Sequence, residues 1–254
     1  MKKSILFVYV FVLFAFPINA QEKPAEKPIP EGEVFTSTQT VKINGTTHSL
    51  KTRAGTLQLR DENNEPIALH GFTAYFKEDG PSKRPIIFSF NGGPGSSSYW
   101  LHMGVMGPKR IVVNDPGYTP AAPYELVNND YSILDVADVV MMDPIGTGLS
   151  MPIGKAEGTD FWGVDQDIRS TSLFIMQFLK EYDRMQSPKY LLGESYGTFR
   201  NAGVMSYLLD KGYALNGVVM VSSVFDIRSL AFPVQESTSY LVHFPSYAAT
   251  AWYH

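Results

Sequence analysis

The chain has 254 residues, no cysteine and a formal charge of −4 at pH 7. The missing cysteine excludes a disulfide framework and a lipoprotein anchor, and the charge leaves no electrostatic footprint for nucleic acid. About 220 residues remain beyond position 33, enough for one sizeable core.

The amino end reads as a secretory signal over residues 1–20. Lys2 and Lys3 make a charged start, Ile5 to Phe16 is an apolar run, and Ala20 is a small residue at the cleavage point. The run is short for a bilayer, so no stable span is expected after cleavage, with an uncleaved anchor as the alternative. Cleavage would remove Lys2 and Lys3 and take the charge from −4 to −6. Residues 21–33, rich in Pro, Glu and Lys, read as a polar linker. A secreted or periplasmic location follows from the leader.

Thr38 to Phe76 predicts a β-meander. Asn44-Gly45 marks a hairpin, Thr56 to Arg60 alternates, and Asp61 to Pro66 supplies turn residues. Strands are predicted near 86–90, 137–142, 189–192 and 217–222, with helices between them. Gly163 to Tyr182 is the clearest helix, with Val164, Ile168, Ile175, Leu179 and Tyr182 on one face and Asp165 and Asp167 in its first turn. Thr198 to Lys211 carries Ala202, Met205, Leu208 and Leu209 at helical spacing. This order implies a mostly parallel central sheet with the antiparallel meander along one edge. The catalytic-domain portion is expected over 34–224. From about Phe225 the periodicity fades, and aromatic residues crowd with Pro233 and Pro245. Residues 225–254 therefore read either as the start of a cap over a site or as ordinary apolar packing.

Two motifs carry chemistry. Gly193-Glu194-Ser195-Tyr196-Gly197 is a Gly-x-Ser-x-Gly turn between a strand and a helix, the elbow that presents the nucleophilic serine in α/β-hydrolases. Its glycines let strand and helix approach closely. Asn91-Gly92-Gly93-Pro94-Gly95-Ser96-Ser97-Ser98 follows a strand and leaves backbone N–H groups free for an oxyanion. On this reading Ser195 attacks an acyl carbon, and the N–H groups of Gly93 and Tyr196 hold the oxygen. A plain Gly/Pro turn is the competing reading of the second motif.

With these residues in view, the chain resembles the serine carboxypeptidases and their bacterial relatives. The resemblance rests on residues 91–98, Met106-Gly107-Pro108, Asp143 to Ser150 and Gly193 to Gly197, and covers roughly Pro85 to Ser223. It implies an α/β-hydrolase fold, no cofactor, no metal, and a peptide substrate with a free C-terminal carboxylate. The family binds that carboxylate with an Asn before the Gly-Gly, a Glu before the nucleophile, a Trp and a second Glu. Asn91 and Glu194 match, beside Gly92. Ser89 and Val105 stand where the Trp and the second Glu would be. Glu194 would hold a carboxylate best while protonated, because two adjacent carboxylates repel, so peptidase activity should fall as pH rises.

A serine nucleophile also needs a base and an orienting carboxylate, in the order Ser, Asp, His for this fold. Only Asp210, Asp226, His243 and His254 follow Ser195 as candidates. Family members run to roughly twice this length. The expectation is that the Asp and His lie beyond His254, so that this stretch alone is inactive; a local triad of Ser195, Asp226 and His243 is the alternative. The functional expectation is an exported serine-type carboxypeptidase. The alternatives are an esterase or acyltransferase of the same fold, or a catalytically incomplete fragment or binding module. His48, His70 and His102 are isolated and lack metal-ligand spacing, although His102 lies near enough to the glycine loop to support it. Tyr99 and Trp100 could line the substrate site or the core. Asp143 to Ser150 is expected to support the catalytic loop.

Overall fold

The structure is a computed structural model that describes residues 28–81, 83–113, 121–230, 232, 234–235 and 237–254. The expected signal sequence and the linker up to residue 27 lie outside the described residues.

The frame is a sheet that grows outward from its first strands. β1 (Val34–Ile43), β2 (Thr46–Arg60) and β3 (Pro66–Lys77) form the antiparallel meander. Asn44 and Gly45 connect β1 to β2 with both residues at positive φ, 47° and 78°, as a two-residue hairpin requires. β3 pairs antiparallel with β7 (Asp138–Met142). From there the order runs to β4 (Ile86–Phe90), β9 (Lys189–Glu194) and β10 (Gly217–Val221), all parallel. A short β8 (Met151–Pro152) adds to β3, and β5 (Lys109–Ile111) pairs with β6 (Leu126–Asn128) apart from the main sheet. The observed sheet is the one the sequence predicts, with the small β5–β6 ribbon in addition.

The two faces of this sheet bury two separate clusters. β4 and β7 are apolar without interruption or nearly so, as strands covered on both sides are. Phe88, Phe90, Val140 and Met142 face one cluster, with Phe174, Phe178, Val204 and Leu208 from the helices. Ile87, Val139 and Met141 face the other, with Leu101, Met106 and Leu134. A short α1 (Tyr99–Leu101) follows the loop after β4, and the helices on the first face are α2 (Val164–Glu181) and α3 (Tyr196–Asp210).

Their buried stripes differ from the sequence expectation. On α2, Ile175 and Leu179 are buried beside Phe174, Phe178, Ser170 and Thr171, but Val164 is 44% exposed. On α3 the buried residues include Gly197, Arg200, Asn201, Val204 and Leu208, while Met205 and Leu209 are exposed and Ala202 with them. An apolar spacing marks that a stripe exists. Its phase is set by the tightest approach, here α3 lying on β9 and α2 across Gly203, where an added Cβ would stand 2.1 Å from Ile168 Cδ1. The carboxyl-terminal stretch also departs from expectation. Thr238–Tyr253 is a helix (α4), with Pro245 inside it and Ser239 its buried residue. Aromatics occur on every side of α4, so no polar face betrays its period to a sequence reading.

The end of the sheet away from the elbow is closed by charge. Asp138 Oδ1 accepts from Arg84 Nε at 3.0 Å, and Asp138 Oδ2 from Arg184 Nη1 at 2.7 Å. Arg184 Nη2 donates to the Arg84 carbonyl at 2.6 Å. All three side chains are buried, so one carboxylate ties β7 to the segments leading into β4 and β9.

Candidate active site

β9 ends at Glu194 and α3 begins at Tyr196, so the whole reversal falls on Ser195. Its φ of 56° and ψ of −124° are strained for a residue with a side chain and cost on the order of 1–3 kcal/mol. Four hydrogen bonds hold that conformation. Ser195 N donates to Val221 O at 2.9 Å, while Ser195 O accepts from Thr198 N at 2.9 Å and from Thr198 Oγ1 at 2.7 Å. Thr198 Oγ1 in turn accepts from Val224 N at 2.9 Å. The serine is therefore braced by the chain after β10, a link no sequence spacing reveals.

Close approach explains the glycines. A Cβ on Gly193 would lie 2.1 Å from Gly197 O, so strand and helix could not meet. A Cβ on Gly92 would lie 2.5 Å from Tyr196 N and 2.6 Å from Glu194 O. The loop after β4 thus rests directly on the elbow. Among the described residues, neither the N–H of Gly93 nor that of Tyr196 has a hydrogen-bond partner. Two unspent donors on abutting segments are what a developing oxyanion needs.

Beside them lies a cavity of about 530 Å³, lined among others by Asn91, Gly93, Ser96, Trp100, Val105, Glu194 and Ser195. Asn91 is fully buried. Its Nδ2 donates to Glu194 Oε2 at 3.0 Å, and its Oδ1 accepts from Leu101 N at 3.2 Å, which fixes which way the amide points. Gly92 and Tyr196 do not line this cavity. Tyr196 lines a neighbouring one of about 270 Å³ with Pro94, Gly95, Trp162, Asp167 and Arg200. Burial first, then the charge of Asp167, pushes the Tyr196 phenol up.

The remaining sequence candidates fall as follows. Ser89 is buried with its hydroxyl toward Met106 Sδ at 3.7 Å, and Val105 presents an apolar surface to the cavity. Trp100 is 61% exposed and lines the cavity, so it is not core, and Tyr99 packs against it. Asp143 Oδ1 accepts from Ser98 N at 3.0 Å, and Ser98 Oγ donates to Met142 O; burial raises the Asp143 carboxyl. The Asp143–Ser150 turn thereby anchors the glycine loop. His102 Nε2 contacts Tyr75 OH at 2.6 Å, and burial lowers its imidazole. His70 is fully buried and stacked on Phe174. Among the described residues no group of acidic and histidine side chains could hold a metal ion, and no helix is long and apolar enough to cross a membrane.

The alternative triad does not assemble. Asp226 pairs with Arg228, with Oδ2 2.9 Å from Nη2. His243 Nδ1 contacts Ser239 O at 2.8 Å and stacks near Phe232 and Tyr247. Neither residue lines the Ser195 cavity. Sequence reasoning also passed over Arg200. The available signal was its spacing: Arg200, Val204 and Leu208 are four apart on one buried stripe.

The chain is similar to known carboxypeptidases over part of its length. A 156-residue stretch is 32% identical to the pheromone-processing carboxypeptidase KEX1 of Saccharomyces cerevisiae, covering 56% of this chain and 20% of that protein. A 124-residue stretch is 28% identical to serine carboxypeptidase-like 10 of Arabidopsis thaliana, covering 47% of this chain and 26% of that one. The chain thus matches only about a quarter or less of these relatives' lengths. The crystal structure of a prohormone-processing carboxypeptidase from Saccharomyces cerevisiae aligns over 67% of this chain and 38% of its own, with 23% identity and a TM-score of 0.49. The serine carboxypeptidase family model matches residues 43–216, more than half of the chain. With the elbow at Ser195, the glycine loop resting on it and a mostly parallel sheet beneath, this chain has the α/β-hydrolase fold and belongs to the serine carboxypeptidase family.

Proposed function

We propose that the protein is an exported serine-type carboxypeptidase that forms an acyl-enzyme on Ser195. The observation that carries this is one cavity shared by Ser195, Gly93 and the Asn91–Glu194 pair. Ser195 Oγ attacks the carbonyl carbon of the last peptide bond. The Gly93 and Tyr196 N–H groups hold the oxyanion, and the C-terminal amine leaves with a proton from the base. Asn91 and Glu194, beside Gly92, receive the substrate's terminal carboxylate. Export rests on the leader over residues 1–20, and secretion or the periplasm is the proposed location. The base is proposed to be a His oriented by an Asp, and α4 to begin a covering insertion. The protein made from its complete gene should take a fluorophosphonate at Ser195 and lose it in Ser195→Ala. No labelling of the wild type would sink the reading.

One observation favours a second reading, an esterase or acyltransferase. Val105 and Ser89 bring no carboxyl or indole to the cavity, so the carboxylate site has half the partners the family uses. A blocked dipeptide, its C-terminal amide and a simple acyl ester separate the two. A carboxypeptidase needs the free acid; an esterase ignores it.

A further inference from the structure

Arg200 is 1% exposed, and it sits in α3 five residues after Ser195. Its Nε donates to Asp167 Oδ2 at 2.8 Å, and its Nη1 donates to the Asn91 carbonyl at 2.8 Å. The guanidinium carbon lies 5.1 Å from the Phe90 ring centre and 5.2 Å from that of Tyr196. One planar group therefore touches both segments that carry the unspent N–H donors. The Asn91 carbonyl belongs to the peptide that leads into Gly92 and Gly93. Holding that oxygen fixes the tilt of the loop's first peptide plane. The Tyr196 ring belongs to the residue whose own N–H is the second donor.

We infer that Arg200, locked by Asp167, is a positioning residue that sets the relation between the Gly93 and Tyr196 donors. The inference rests on the serine-hydrolase reading of Ser195. Its physical reason is the loop itself. Residues 91–98 have no regular secondary structure, Asp143 anchors their far end at Ser98, and a displacement of about 1 Å of a group aimed at a transition state costs about 10²-fold in rate. Arg suits the task because its fork makes two directed bonds in one plane while stacking on aromatic faces. Lys would keep the charge and lose the fork. Asp167 supplies the counter-charge, so the pair adds no net charge to the cavities beside Ser195. A purely structural role, tying α2 to α3, would use the same salt bridge but predicts a different kinetic pattern.

The test uses protein made from the complete gene. Three variants are compared with wild type: Arg200→Lys, Asp167→Asn, and the double variant Arg200→Met with Asp167→Leu. The double variant removes both charges together and keeps apolar volume, which preserves folding better than stranding one buried ion. Urea midpoints report folding, and fluorophosphonate labelling reports whether Ser195 acts at all. For an acyl ester, the expected result is a kcat lower by about 10²-fold in the double variant, with KM changed less than threefold. Affinity for a peptide aldehyde, which forms a tetrahedral adduct, should fall in parallel, while affinity for the non-covalent product acid should hold. Arg200→Lys should recover only part of kcat. A folded double variant with wild-type kcat overturns the inference. So does a loss in KM and urea midpoint with kcat kept, which marks a structural tie. A wild type that takes no fluorophosphonate at Ser195 overturns the serine-hydrolase reading and this inference with it.

Discussion

Asn91 Nδ2 donates to Glu194 Oε2 across 3.0 Å, joining the loop after β4 to the residue before the elbow. The two are 103 positions apart in sequence, and the bond is buried on the Asn91 side. Because Asn91 Oδ1 is held by Leu101 N, the amide cannot turn over without losing both contacts. Asn91→Asp would set a second carboxylate against Glu194. Hydrogen bonds to charged groups are worth about 1.5–3 kcal/mol, so peptide kcat/KM should drop by at least about 10-fold. Fluorophosphonate labelling of Ser195, which does not use the carboxylate site, should change less than threefold. Equal losses in both assays would remove the pair from substrate binding.

Gly92 is where the glycine loop meets the elbow. Gly92→Ala would push a Cβ against the backbone N of Tyr196 and the backbone O of Glu194, neither of which can swing aside. The loop must shift instead. Overpacking of this kind costs about 1–3 kcal/mol in stability. Labelling of Ser195 should slow by about 10²-fold as the donor moves. An unchanged labelling rate in a folded Gly92→Ala protein would mean that the loop's position is irrelevant to Ser195.

Val105 lines the Ser195 cavity, and in the proposed carboxylate site it stands where the second carboxyl is missing. Val105→Glu should raise the preference for a free-acid peptide over its amide by roughly 10-fold, the equivalent of one added hydrogen bond. The check is the ratio of kcat/KM for the two substrates. A ratio that stays put would favour the esterase or acyltransferase reading.

Stability should fall in mild acid because of His70. Burial, assisted by the charge of Arg200, holds its imidazole down at about 3, against an ordinary value of 6.5. The unfolded chain binds a proton near 6.5 and the folded chain only near 3. Stability is therefore complete above pH 6.5 and is lost as pH falls toward 3. His70 Nε2 has no partner among the described residues, and the ring stacks on Phe174 at 4.2 Å. A phenyl ring should fit that stack. His70→Phe should flatten the decline of the urea midpoint between pH 7 and 4. Parallel wild-type and variant profiles would rule His70 out as the cause.

Asp138 provides a contrast, since it closes the opposite end of the sheet. Asp138→Asn leaves Arg84 and Arg184 buried without their counter-ion. Breaking a buried ion pair costs about 3–5 kcal/mol, which the urea midpoint would register. The labelling rate of Ser195 in the protein that remains folded should stay within twofold of wild type. A large loss of labelling would mean that the two ends of the sheet are coupled.

Local chemistry was legible in the sequence alone. Asn44-Gly45 specifies its hairpin because positive φ suits those two residues. The apolar runs of β4, β7 and β9 announce strands covered on both faces. Gly193, Ser195 and Gly197 announce the elbow, because only glycine clears the approach of strand to helix. These are constraints between near neighbours, and near neighbours are what a sequence records directly. Tertiary packing decided the rest. Met205 and Leu209 face out while Arg200 turns inward, because an ion pair with Asp167 and the Asn91 carbonyl in the loop after β4 compensate the burial of its charge. Asp226 and His243 look like a triad pair in sequence but bind Arg228 and Ser239 instead. Their spacing carried no information about direction. Asn91 meets Glu194 only because β4 and β9 lie side by side, a pairing that depends on the whole sheet.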